Sequence, residues 1–186
     1  MTYCVTGPMA AGKNFVCANM VREDARLAAI DLDKTAHAVI ERVSDQIFSA
    51  FEEEARSRGI RLRNQDGSLN RRAVGRLVFS EPELLARHEA IVYPKVVECA
   101  LQFVRENEAH GKSTLINAAV LYKTPELLDL CDRIYFVTAP FVTRLVRARR
   151  RDGLPLAQIL SRFWSQRRLL SAYKKTGKEI VIVRNH

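Results

Sequence analysis

Eight residues near the amino end constrain the fold more than any other stretch: Gly7-Pro-Met-Ala-Ala-Gly12-Lys13-Asn14. They fit G-x-x-x-x-G-K followed by a polar residue, set between a strand-like run, Tyr3–Thr6, and a helical pattern over Asn14–Arg26. Glycines at both ends let the backbone wrap with its N–H groups inward. Lys13 reaches toward outer phosphates, and the helix offers the positive end of its dipole. The last position departs from the pattern. A Ser or Thr hydroxyl normally meets Mg²⁺ there; Asn14 offers a neutral, hard amide oxygen instead. The exchange is expected to lower activity relative to a Ser-bearing chain, or to abolish it.

Further apolar, β-branched runs predict strands at Leu27–Ile30, Thr114–Ala118, Ile134–Thr138 and Ile180–Val183. Helical patterns fall between them: Ser44–Arg58 with Ser44 as N-cap, Arg71–Phe79, Pro82–Tyr93, Pro94–Glu108 opened by its proline, Thr124–Cys131, Pro140–Arg151 and Pro155–Tyr173. Strands separated by helices predict a parallel sheet with crossover helices, an α/β three-layer fold with five strands. The helix-only stretch between strands two and three is too long for one crossover and reads as an inserted helical subdomain for a second substrate. The expected organisation is a single domain with a core at 1–33, 112–139 and 176–186, an insertion at about 34–111 and a basic lid at about 140–175.

The chain carries 30 Lys and Arg against 21 Asp and Glu, a net charge of +9. Most of the excess lies between Val142 and Lys178, where Asp152 is the single acid. A basic element on a near-neutral body can grip nucleic-acid phosphates, close arginines over a small polyphosphate, or be a solvated surface. With 186 residues, 47% of them hydrophobic, the chain is long enough for a real core and is not a disordered polymer. Its longest aliphatic run, Ile180–Val183, is far short of the roughly 20 residues of a membrane helix. The strand-like run beginning at Thr2 leaves no leader, so the expectation is a soluble cytoplasmic protein. Cys4, Cys17, Cys99 and Cys131 lack metal-ligand or redox spacing and read as reduced thiols.

Ile30-Asp31-Leu32-Asp33 puts two carboxylates at the end of the second strand, the edge where open α/β sheets bind ligands. On an extended segment both would face one site, one positioning magnesium and the other accepting a proton. Alternatively, one of them caps the helix that starts near Lys34; a cap needs only one carboxylate, and the location favours function.

With these motifs in order, the chain resembles the dephospho-CoA kinase family along nearly its whole length. The family's phosphate loop is similar to Thr6–Asn14, and its Asp-Ala-Asp with a short helix is similar to Asp31–Val39. Its Asp-Gly-x-Leu-Asp-Arg…Val-Phe segment resembles Asp66-Gly-Ser-Leu-Asn-Arg71 through Val78-Phe79, and its His-Pro resembles Tyr93-Pro94. A strand end, Asp-x-Pro-Leu-Leu-Phe-Glu, is similar to Asn117-Ala-Ala-Val-Leu-Tyr-Lys123. The lid pattern is similar to Arg147, Arg151-Asp-Gly-Leu154 and Ser161-Arg162…Gln166. Departures stand at Asn14, Asn70, Tyr93, Asn117 and Lys123.

The resemblance implies a P-loop fold and ATP-dependent phosphorylation of the ribose 3′-hydroxyl of dephospho-CoA, giving coenzyme A and ADP. It implies ATP at Gly7, Ala10, Ala11, Gly12, Lys13, Asn14, Phe15, Arg147 and Arg151, with Mg²⁺ beside Asn14 and Asp31. Dephospho-CoA would meet Asp33, Arg71, Phe79, Tyr93 and Pro94. Asp33 would deprotonate the hydroxyl, while Lys13 and Arg147 neutralise the transferring phosphoryl group. Arg144, Arg149 and Arg150 are assigned to the surface and Trp164 to lid packing. The expected partners are the small-molecule substrate alone, with no nucleic acid or membrane, in a monomer or weak homo-oligomer. Another small-molecule or nucleoside P-loop kinase, or a nucleotide-binding relative with reduced catalysis, is the alternative.

Overall fold

The computed structural model describes residues 1–185. The strands are β1 (Thr2–Thr6), β2 (Leu27–Asp31), β3 (Ser113–Asn117), β4 (Arg133–Thr138) and β5 (Glu179–Arg184). The helices are α1 (Lys13–Glu23), α2 (Leu32–Arg42), α3 (Ser44–Ser57), α4 (Arg71–Val78), α5 (Pro82–Ala109), α6 (Pro125–Asp129), α7 (Phe141–Asp152), α8 (Leu156–Ser165) and α9 (Leu169–Lys174). A 3-10 turn covers Leu121–Lys123. Two compact units form: 1–32 with 100–185, and 33–99.

The first unit is built on one sheet of order β2-β3-β1-β4-β5 with every pairing parallel. All strand ends therefore meet one edge, and β1, the central strand, delivers the phosphate loop to the middle of it. Register puts Asn117 level with Asp31 on β2 and with Val5 on β1. Val5, Ala11, Val16, Cys17, Leu115 and Val137 form an apolar core beneath the loop. The second unit holds α3, α4 and parts of α2 and α5. Ile47, Phe48, Phe51, Val74, Leu77 and Val78 are buried in it. Among the described residues no helix is long and apolar enough to cross a membrane.

Four local expectations are corrected. Pro94 does not open a helix; α5 runs through it from Pro82 to Ala109. Buried Val92, Val96, Ala100 and Val104 recur every four residues and keep one apolar stripe across the proline, which forgoes only the hydrogen bond to the Ala90 carbonyl. Ser44 is not an N-cap but the first residue of α3, because α2 runs on to Arg42 and leaves Val43 at the junction. The stretch Pro155–Tyr173 is two helices. Its buried residues Phe163 and Leu169 lie six apart, a spacing that no single helical face accommodates. Asp33 is not extended but lies in the first turn of α2, so strand alternation does not align it with Asp31.

Candidate active site

The loop after β1 takes a conformation that its small residues make accessible. Gly7 has φ 151°, Ala10 φ 60° and Gly12 φ 91°. A Cβ on Gly7 would lie 2.2 Å from the Val137 carbonyl oxygen, so the loop passes too close to β4 for any other residue. Lys13 Nζ donates to the Gly7 carbonyl at 3.1 Å and thus bridges the loop's two ends. Asn185, beyond β5, donates Nδ2 to the Ala11 carbonyl at 2.8 Å.

Beside the loop lies a cavity of about 490 Å³. Ala10, Gly12, Lys13 and Asn14 form one side, and Arg147, Arg150 and Arg151 of α7 form the other. One lysine and three arginines around a concave, backbone-rich wall make a site for a polyanion. Arg151 also pairs with Asp152, through Nε at 2.7 Å and Nη2 at 3.0 Å, and holds that carboxyl below its ordinary range. Beneath the site, burial pushes the Cys17 thiol up to about 12; Asp31 reinforces the shift and Lys13 opposes it.

Three polar side chains meet at the sheet edge. Asn117 donates Nδ2 to Asn14 Oδ1 at 2.8 Å, and Asn14 donates Nδ2 to Asp31 Oδ2 at 3.2 Å. A carboxylate and an amide oxygen are the hard donors magnesium takes, usually one or two from protein with waters and phosphates completing the shell. The donor chemistry at Asn14 and Asp31 therefore fits magnesium, provided Asn14 turns its oxygen toward Asp31.

In the second unit, Asp33, His37, Arg71, Arg72, Phe79 and His88 line a groove of about 550 Å³. Phe79 is 76% exposed, an unusual position for a phenylalanine, and Arg71 pairs with Glu41 at 3.4 Å. The expected substrate residues Asp33, Arg71 and Phe79 thus share one groove. Tyr93 and Pro94, on α5, are not among its lining residues. Asn70 keeps a structural role, since its Oδ1 accepts the Ala73 N–H at 3.0 Å and caps α4.

Among the residues expected at the nucleotide, Phe15 lies on α1, is 61% exposed and is not among the residues lining the loop cavity. Ala11, within the loop, is fully buried. Lys123 is exposed on its 3-10 turn. The basic segment is more organised than a surface assignment allows. Arg150 walls the cavity. Arg144 donates Nε to the Met9 carbonyl at 2.9 Å and stacks 4.2 Å over Phe163, with burial lowering its basicity. Trp164 is corrected as well: it is 68% exposed, with Arg167 over its ring, rather than packed. Gln166 Oε1 accepts the Met9 N–H at 2.6 Å, a contact that only its matched position in the sequence hinted at.

A parallel five-stranded sheet, a glycine and lysine phosphate loop after its central strand, and an arginine-bearing helix beside that loop define a P-loop kinase. The comparisons with known proteins narrow the class. A family model described as dephospho-CoA kinase matches residues 1–185. The dephospho-CoA kinase of Treponema denticola is 34% identical over 183 residues, covering 97% of this chain and 80% of that protein. That of Treponema pallidum is 34% identical over 164 residues, covering 88% and 76%. A crystal structure from Thermus thermophilus matches all of this chain and 88% of its own at 25% identity, with a TM-score of 0.80. The dephospho-CoA kinase of Campylobacter jejuni, at 20% identity and TM-score 0.70, shares the fold over 100% and 89% of the two chains. The chain belongs to the dephospho-CoA kinase family.

Proposed function

We propose that the protein transfers the γ-phosphoryl group of ATP to the ribose 3′-hydroxyl of dephospho-CoA, forming coenzyme A and ADP. The observation that carries this reading is the cavity of Lys13, Arg147, Arg150 and Arg151 beside the phosphate loop, in a chain whose family match runs over residues 1–185.

The triphosphate sits against the loop, where backbone N–H groups and Lys13 hold it. As the phosphorus–oxygen bond to the leaving ADP lengthens, charge grows on the bridging oxygen; Lys13 and Arg147 offset it, and Arg150 and Arg151 hold the rest of the tail. Arginine forks fix phosphate orientation as well as charge. Asn14 and Asp31 are the residues that would hold magnesium, which supplies further neutralisation of the phosphate oxygens when bound. Dephospho-CoA is taken by the groove of the second unit. There Arg71 and Arg72 attract its phosphates, Phe79 offers an aromatic face, and Asp33 accepts the proton of the 3′-hydroxyl. The protein acts in the cytoplasm as a monomer or weak homo-oligomer. Within its basic segment, Arg144, Arg147, Arg150 and Arg151 serve the phosphate loop.

The deciding experiment is mass spectrometry of dephospho-CoA incubated with MgATP and either the wild-type protein or Lys13→Ala. Gain of one phosphate with the wild type alone is expected. No product at stoichiometric enzyme would end the assignment.

A further inference from the structure

Asn14 and Asn117 form a pair of amides whose orientations are tied together. Asn117 is 5% exposed, closes β3 and gives its Nδ2 to Asn14 Oδ1 across 2.8 Å. Asn14 gives its own Nδ2 to Asp31 Oδ2 across 3.2 Å. A half-turn about the last side-chain bond exchanges the oxygen and nitrogen of a primary amide with almost no change of shape. If Asn14 turned alone, two NH₂ groups would face each other at Asn117 and two oxygens would face each other at Asp31. Both contacts would become repulsive.

Turning both amides has a different outcome. Asn14 then donates to Asn117 Oδ1 across the same gap, so that hydrogen bond survives with its direction reversed. The position 3.2 Å from Asp31 Oδ2 now holds an oxygen. Two such oxygens repel unless a cation lies between them. Metal–oxygen distances of 2.0–2.1 Å in octahedral magnesium separate neighbouring ligand oxygens by about 2.9 Å. The observed spacing is close to that edge.

We propose that Asn14 and Asn117 turn over together when magnesium binds beside Asp31. Asn117 is then a positioning residue that never touches the metal. It satisfies Asn14 in both states, as donor without the cation and as acceptor with it. The inference rests on the placement of magnesium at Asn14 and Asp31 in the proposed function. It also gives a joint physical meaning to the amides at positions 14 and 117. An aspartate at 117 can only accept, so the Asn14 NH₂ would be drawn by two carboxylates, and the shorter gap on the 117 side biases its oxygen toward Asp31.

The experiment follows side-chain NH₂ resonances in the full-length, ¹⁵N-labelled protein during a magnesium titration at constant, saturating ADP. Asn117→Asp and Asn14→Ser identify the signals. The expected result is that the Asn14 and Asn117 NH₂ signals move together with one apparent affinity. In Asn117→Asp, the metal-free Asn14 signal is expected to shift from its wild-type position toward that of the magnesium-bound wild type, and added magnesium should move it less. A charge effect alone would not fix that direction. The proposal is overturned if backbone signals at Lys13–Phe15 and Asp31 report the cation while both NH₂ signals stay still; magnesium placement would survive that outcome. If neither the side chains nor Asp31 respond to magnesium, the placement falls along with the proposal. Should Asn117→Asp not fold, Asn117→Ala identifies its signal and the wild-type titration decides.

Discussion

Gln166 holds Met9 by its backbone: the Met9 N–H donates to Gln166 Oε1 at 2.6 Å. Arg144 takes the Met9 carbonyl from the other side. The tip of the phosphate loop is thus clamped by the basic helical segment, and Met9, Ala10, Ala148, Ile159 and Phe163 bury apolar surface at the same junction. Gln166→Ala removes one of the two polar grips and leaves the loop less well ordered for its ligand. A hydrogen bond of this kind contributes about 0.5–1.5 kcal/mol, so ADP affinity is expected to fall roughly three- to tenfold in isothermal titration calorimetry. An unchanged affinity would show that the clamp does not shape the loop.

The clamp also marks where sequence reading stops. Gly7, Gly12 and Lys13 are legible because the loop's chemistry resides in one contiguous stretch bounded by a strand and a helix. The strands themselves are legible from β-branched runs, and the observed ends differ by one residue at most sites. The Met9–Gln166, Ala11–Asn185 and Asn14–Asn117 contacts join residues 157, 174 and 103 positions apart. They arise from sheet register and from the break between α8 and α9, neither of which any local pattern states. Arg144 shows the same gap. Eleven basic residues in one segment look alike until the fold shows which one bonds the loop's backbone, which three wall its cavity and which lie elsewhere.

Gly7→Ala tests how closely the loop is set against β4. The added Cβ would meet the Val137 carbonyl oxygen at 2.2 Å, and that atom belongs to β4, which is paired on both sides by β1 and β5. The positive φ adds strain for any side chain. Destabilisation of about 3 kcal/mol is expected, roughly 6–12 °C in Tm. Gly75→Ala is the control. Its Cβ meets nothing within 4 Å inside α4, and replacing a helical glycine there should stabilise by about 0.5–1 kcal/mol. Differential scanning calorimetry of the two variants separates loop geometry from a general glycine effect.

Tyr173 ties α9 to the end of β1. Its phenol oxygen accepts the Leu121 N–H at 2.8 Å and lies 3.0 Å from Thr6 Oγ1, while the ring is fully buried edge-on to Tyr122 and Phe136. Burial pushes this phenol well above its ordinary value, so it stays protonated at any working pH. Tyr173→Phe keeps the ring and strands the Leu121 N–H. The cost is expected at about 1–3 kcal/mol, read as a lower urea midpoint with an unchanged m-value. Tyr173→Ala should cost more, because it also opens a cavity. A phenylalanine variant as stable as wild type would mean that the hydroxyl contributes packing only.

His88 gives the second unit a pH-dependent element. The imidazole lies 6.2 Å from the Phe51 ring, centroid to centroid, and burial holds its pKa below the ordinary 6.5 even though Glu89 acts in the opposite direction. The folded protein therefore binds this proton less readily than the unfolded chain. By linkage, the stabilising contribution is fully present above pH 6.5 and is lost as pH falls through the depressed value. Urea midpoints measured between pH 7.5 and 5 should fall for the wild type. In His88→Gln, which has no proton to take up, the decline should be shallower, and the difference between the two curves isolates this residue from carboxylates that titrate lower. Parallel curves would show that His88 is equally ready to protonate in both states, and that Phe51 does not shield it from water.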